Sequence, residues 1–171
     1  MWSRRRVIFV GVVGTVAAGT ALVLPRLGSS SAAPSGVALA SEHADMLRAV
    51  IQALLGWALP NDADTRNREL TRVTTATGAL ITNLPPSTRK EIADLFGLLA
   101  LKPARALLGY SGDWIGADIP AVATFLMGLR DSSIGLKQQA YFALHDLLIG
   151  SFYAEPSTWA TTGYPGPPKL A

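Results

Sequence analysis

From residue 41 to residue 153 apolar side chains recur at every third or fourth position, and proline or glycine interrupts the pattern at 60, 85–86, 103, 109 and 120. A repeat of that period lays one apolar stripe along a helix, and each interruption ends a helix, so the chain divides into short helices. No segment alternates apolar and polar residues between turn signals long enough to force a strand. The expected fold is all-α: five or six helices in a small orthogonal or bundle-like array, preceded by an N-terminal signal helix and followed by an irregular Pro/Gly/aromatic tail. The expected divisions are 1–40, 41–153 and 154–171.

Within the body, Ser41 reads as the N-cap of a helix over 41–58, with Met46, Val50, Leu54 and Trp57 on its apolar face. Pro60-Asn61-Asp62 ends it. A second helix carries Leu70, Val73, Thr77, Leu80 and Ile81 on one face and stops at Leu84-Pro85-Pro86, although the threonines at 71 and 74–77 lower its propensity. Thr88 and Glu91 have capping-box spacing, and Ile92, Leu95, Phe96 and Leu99 follow on one stripe. Pro103 opens a short helix to Leu108, with Gly109 as its left-handed cap. Asp118 and Pro120 start another helix, burying Val122, Phe125, Leu126 and Leu129. Ser132 or Ser133 caps the last, which carries Leu136, Ala140, Ala143, Leu144, Leu147 and Leu148.

The chain of 171 residues has a net charge of +3, but the first 40 residues hold Arg4, Arg5, Arg6 and Arg26 and no acid. Residues 41–171 balance 11 basic against 12 acidic side chains, so the body lacks the basic excess that a nucleic-acid partner requires. The absence of cysteine removes disulfides and zinc thiolate sites, and two histidines, His43 and His145, are too few for a histidine-rich metal centre.

The basic start has another explanation. Arg4-Arg5-Arg6 precedes 18 uncharged, mostly apolar residues, Val7–Leu24, and then a Ser/Ala/Pro/Gly stretch from 28 to 40, the order of an export signal. Ser3-Arg4-Arg5-Arg6-Val7-Ile8 resembles the twin-arginine motif, departing from it at Val7, where Phe is usual. Gly11, Gly14, Thr15, Gly19 and Thr20 dilute the apolar stretch, and Arg26 follows it, both of which favour export of a folded protein. The small residues Ala38 and Ala40 mark a cleavage site before Ser41, and Ser31-Ala32-Ala33 is a second candidate. Cleavage is one outcome and retention is the other, because 18 helical residues reach ~27 Å, close to a bilayer core. Under both readings the body faces the periplasm.

In the tail, Phe152 to Ala171 contains four prolines and four aromatic residues and cannot continue as helix. Too short for a core of its own, it must have Trp159 and Tyr164 covered by the parent body or by another protein. Both readings stand on the residues alone.

The leader, the Leu84-Pro85-Pro86 break, the segment Gln139-Ala140-Tyr141-Phe142-Ala143-Leu144-His145-Asp146-Leu147, and the ending from Tyr153-Ala154 through Trp159 to Gly163-Tyr164-Pro165-Gly166-Pro167-Pro168 together resemble a known family. It comprises the twin-arginine-signal small, gamma-type subunits that accompany flavin-dependent glucose-methanol-choline oxidoreductases, similar to the third subunit of membrane-bound gluconate dehydrogenase. The resemblance implies a noncatalytic accessory subunit that binds the large flavoprotein, helps it mature and carries it folded through the twin-arginine translocase. No cofactor is then expected in this chain, since FAD belongs to the large subunit; whether a cytochrome c subunit also joins stays open. The expected partner-binding residues are Tyr153, Trp159, Tyr164, Pro165, Gly166, Pro167 and Pro168, with Trp159 and Tyr164 as anchors. The alternative is a standalone exported or membrane-anchored helical protein without a flavoprotein partner.

Catalytic readings have less to stand on. Tyr141 and His145 lie one helical turn apart and can touch, whereas Asp146, adjacent to His145, is expected to face away from it. Ser132, Ser133 and Ser151 lack a nucleophile-elbow setting, and the glycines form no phosphate cradle after a strand. Tyr110-Ser111-Gly112-Asp113-Trp114 reads either as a second contact patch or as a loop covering one edge of the core, and Arg130-Asp131 as a cap or surface pair.

Overall fold

Proline opens four of the helices: Pro86, Pro103, Pro120 and Pro156 each occupy a first-turn position, where a missing N–H leaves no bond unmade. The computed structural model describes residues 35–167. Arg4, Arg5 and Arg6, the expected signal helix over 7–24, Ser31-Ala32-Ala33 and Pro168 lie outside the described residues. The elements are α1 (Gly36–Glu42), α2 (Ala44–Leu55), α3 (Ala63–Thr82), α4 (Pro86–Ala100), α5 (Lys102–Leu108), α6 (Ile119–Arg130), α7 (Gly135–Tyr153) and a closing 3-10 helix (Pro156–Thr162), with no strand among the described residues. The all-α expectation holds, but the described residues contain more helices than the five or six expected.

The additional helices are the closing 3-10 helix, in the stretch expected to be an irregular tail, and α1, which occupies residues expected to be linker. Its N-cap is Ser35, whose Oγ accepts from the Ala38 N–H at 3.4 Å, and the chain bends at His43 before α2 begins. Ser41 therefore sits inside α1 and caps nothing. Small residues bring α1 against α3 at backbone distance. A Cβ on Gly36 would lie 2.5 Å from the Thr82 nitrogen, and one on Gly78 would lie 3.0 Å from the Val37 Cα. Leu39 and Ala40 are both buried, Ala40 where its Cβ approaches Gly78.

α2 runs through the middle of the body, packing on α3, α6 and α7, and accordingly buries Met46, Leu47, Ala49, Val50, Ile51 and Leu55, on more than one face. α3 also packs on α7 and α6 on α7, while α4 and α5 pair with each other. Phe96, Leu99, Leu129, Leu144, Leu148 and Phe152 are fully buried and join one contiguous core. The threonines of α3 fit because their hydroxyls bond back along the helix: Thr74 to the Leu70 carbonyl and Thr77 to the Val73 carbonyl, both at 2.8 Å.

Several local expectations give way. α4 starts at Pro86, so Thr88 and Glu91 lie within the helix and form no capping box. Asp62 caps α3, accepting from the Thr65 N–H at 2.9 Å. Trp57, Leu80 and Leu136, assigned to apolar faces, are exposed. The left-handed cap at Gly109 is present, with φ 117°.

Candidate partner-binding site

The carbonyls at the end of α7 organise the C-terminal segment. A helix leaves its last carbonyls without intrahelical partners. Here the Tyr153 carbonyl accepts from the Trp159 Nε1 at 2.8 Å, and the Phe152 carbonyl accepts from the Thr158 Oγ1 at 3.2 Å and the Arg72 Nη2 at 3.3 Å. Arg72 also donates to Glu69, a bond that holds its guanidinium more firmly protonated than usual, and it lies over the Phe152 ring. A cation at a helix C-terminus is favoured by the helix dipole.

The segment expected to be an extended tail is instead a folded turn, because those bonds and the 3-10 helix draw it back onto α7. Gly163 (φ 71°) ends the 3-10 helix in the left-handed region, and Gly166 (φ 97°) returns the chain to Trp159, where a Cβ would meet the indole at 3.3 Å. The Trp159 and Tyr164 rings stand 5.4 Å apart. Trp159 is thus half-buried and holds the turn together, and Tyr153 is half-buried beside it. Tyr164 is 49% exposed, and Pro165 and Pro167 are exposed. The structure brings Tyr153, Trp159, Tyr164, Pro165, Gly166 and Pro167 into one small surface.

A second ordered surface surrounds the loop from Gly109 to Asp118. Arg105, with its side chain 5% exposed, donates through Nε and Nη2 to the Gly112 carbonyl at 3.0 and 2.7 Å, through Nη1 to the Ala100 carbonyl at 3.0 Å, and through Nη2 to Asp113 at 3.1 Å. Its guanidinium lies near the Tyr110 and Trp114 rings, which stack on each other at 4.6 Å. The Trp114 Nε1 donates to the Leu99 carbonyl at 2.9 Å. A hydrogen bond from Lys102, then the charges of Lys102 and Arg105, hold the Asp113 carboxyl below the usual range, while burial pushes the Tyr110 hydroxyl up. An open groove of about 900 Å³ runs beside the loop, lined by Tyr110, Ile115, Asp118, Thr124, Phe125 and Lys137. The sequence did not single out Arg105; its signal was an arginine in a short apolar helix just ahead of Gly109-Tyr110 and Asp113.

His145 and Asp146 correct one expectation. Their side chains meet, Nδ1 to Oδ1, at 3.0 Å, because both reach sideways over the exposed surface of α7; the His145 side chain is 38% exposed. Tyr141 and His145 touch as expected, with ring centroids 5.6 Å apart. Arg130 and Asp131 form an exposed pair at 2.7 Å. Of the cleavage residues, Ala38 is exposed and Ala40 is buried, both inside α1. Among the described residues no group of three His, Asp or Glu is placed to hold a metal, and no helix is long and apolar enough to cross a membrane. Comparison of the chain with family models, with curated proteins and with solved structures finds no match.

Proposed function

We propose that this chain is the noncatalytic, gamma-type accessory subunit of a periplasmic FAD-dependent alcohol or sugar dehydrogenase, which it carries folded through the twin-arginine route and then stabilises. The observation that supports this reading is the C-terminal turn. It holds an aromatic ring and two prolines, Tyr164, Pro165 and Pro167, exposed on a scaffold fixed by Trp159 and two left-handed glycines. A preformed aromatic-proline surface loses little entropy when a partner covers it, and aromatic anchors dominate interface energetics. The flavin resides in the partner, and a cofactor acquired before export is a physical reason for crossing the membrane folded.

The test is affinity purification of the tagged chain from its native host, with FAD measured in the eluate. Wild type brings down a flavoprotein; Tyr164→Ala with Pro165→Ala lowers the recovered FAD at least about tenfold, as expected for losing an anchor worth ~2 kcal/mol, while the subunit's own melting temperature stays put. Undiminished FAD with the double variant refutes the role of the turn. The standalone helical protein is the second reading, favoured by the internal use of Thr158 and Trp159, both of which bond to α7. It requires that no FAD accompany the wild type.

A further inference from the structure

We infer that residues 36–42 belong to the mature protein, and that the leader is cut N-terminal to Ser35 rather than after Ala40. The inference rests on the export reading for the peptidase involved, and on the packing of α1 for the position of the cut. A processing peptidase takes the residues flanking its bond as an extended strand in a narrow pocket. The Ala40–Ser41 bond is helical, and the two residues before it are 4% (Leu39) and 2% (Ala40) exposed. Extending that stretch means lifting α1 off α3 and opening the contact where a Cβ on Gly36 would meet Thr82 and Gly78 at 2.5 to 2.7 Å.

The order of events decides the outcome. A chain that folds before crossing the membrane arrives with α1 already docked, so the fold closes the Ala40–Ser41 bond before any peptidase meets it. A chain threaded unfolded would present the same bond freely. Ser35 must also survive, since its hydroxyl caps α1. The nearest run of small residues upstream is Ser31-Ala32-Ala33. Cleavage there adds water across one amide: the acyl carbon takes the hydroxyl and becomes the leader's carboxylate, and the released nitrogen takes the proton and becomes the mature α-amine.

The experiment has two arms on the full-length chain. In the first, the exported, C-terminally tagged protein is recovered and its intact mass measured. A start beyond the apolar stretch of residues 7–24 and no later than Ser35 is expected; a start anywhere from 36 to 41, or an exported chain that still carries the apolar stretch, overturns the inference. In the second arm, purified chain is treated with elastase, which cuts after small residues. Wild type is cut after Ala38 and Ala40 at least about tenfold more slowly than Gly78→Leu, because cleavage requires local opening; if Gly78→Leu does not fold, wild type in urea is the comparison. Equal rates overturn the inference. A chain that stays uncut in the cytoplasm brings down the export reading alone, and the elastase rates still decide whether α1 is closed.

Discussion

Replacing Arg105 with methionine removes a guanidinium while keeping a long apolar stem in its place. The guanidinium satisfies the Gly112 carbonyl, the Ala100 carbonyl and Asp113 through four hydrogen bonds, and it lies against two rings. Each acceptor contributes about 1 kcal/mol net, and each ring contact about 0.5 to 1 kcal/mol. Asp113 is exposed and counts for little, and the recovered desolvation of the cation offsets part of the remainder. The expected loss is about 2 to 3 kcal/mol, a fall in melting temperature of about 8 °C for a domain of this size. Arg105→Lys recovers less than half, since an ammonium cannot reach all three acceptors at once. The assay is urea unfolding followed by circular dichroism, with Leu107→Ala, at an exposed position, as the control expected within about 0.5 kcal/mol. Arg105→Met within about 0.5 kcal/mol of wild type would refute the view that this arginine holds the loop.

The glycines and His43 give two further expectations. Gly78→Ala places a Cβ 3.0 Å from the Val37 Cα and lowers stability by about 1 to 3 kcal/mol, whereas Gly97→Ala in α4, with nothing within 4 Å, raises it by about 0.5 to 1 kcal/mol; urea midpoints of the two variants should move in opposite directions. Burial holds the His43 imidazole below its ordinary 6.5, with Glu42 pulling weakly the other way. The unfolded chain then binds the extra proton first, so stability is full above 6.5, falls as pH drops from there through the lowered value, and levels off below it. Unfolding at pH 7.5 and pH 5 should show that dependence in wild type and a weaker one in His43→Gln.

Much of the fold was legible because its signals are local. Val122, Phe125, Leu126 and Leu129 follow helical spacing and are all buried, and Gly109, the residue type that tolerates the left-handed region, does end α5 there. α1 was not legible: a Ser/Ala/Pro/Gly stretch has weak local preference, and the helix depends on Gly36 and Ala40 meeting Gly78 on a distant segment. The same holds for the C-terminal turn, whose 3-10 helix follows from bonds to the end of α7 that no spacing announces. The aromatic-proline ending itself was visible as a candidate surface, although Trp159 serves inside the chain while Tyr164 faces out. The role of Arg105 is not legible in the sequence because its acceptors are mostly backbone carbonyls, which sequence does not display. Asp146 reaches His145 despite adjacency because both side chains are long enough to bend along the helix surface.

The central claim is that this chain carries a flavoprotein out of the cytoplasm. The direct measurement is the distribution of FAD-dependent dehydrogenase activity between periplasm and cytoplasm in cells whose copy of this chain carries Arg4→Lys and Arg5→Lys, which keep the charge and lose the guanidinium forks. The account predicts that the flavoprotein and this chain both remain in the cytoplasm. Dehydrogenase activity reaching the periplasm undiminished in those cells would contradict it.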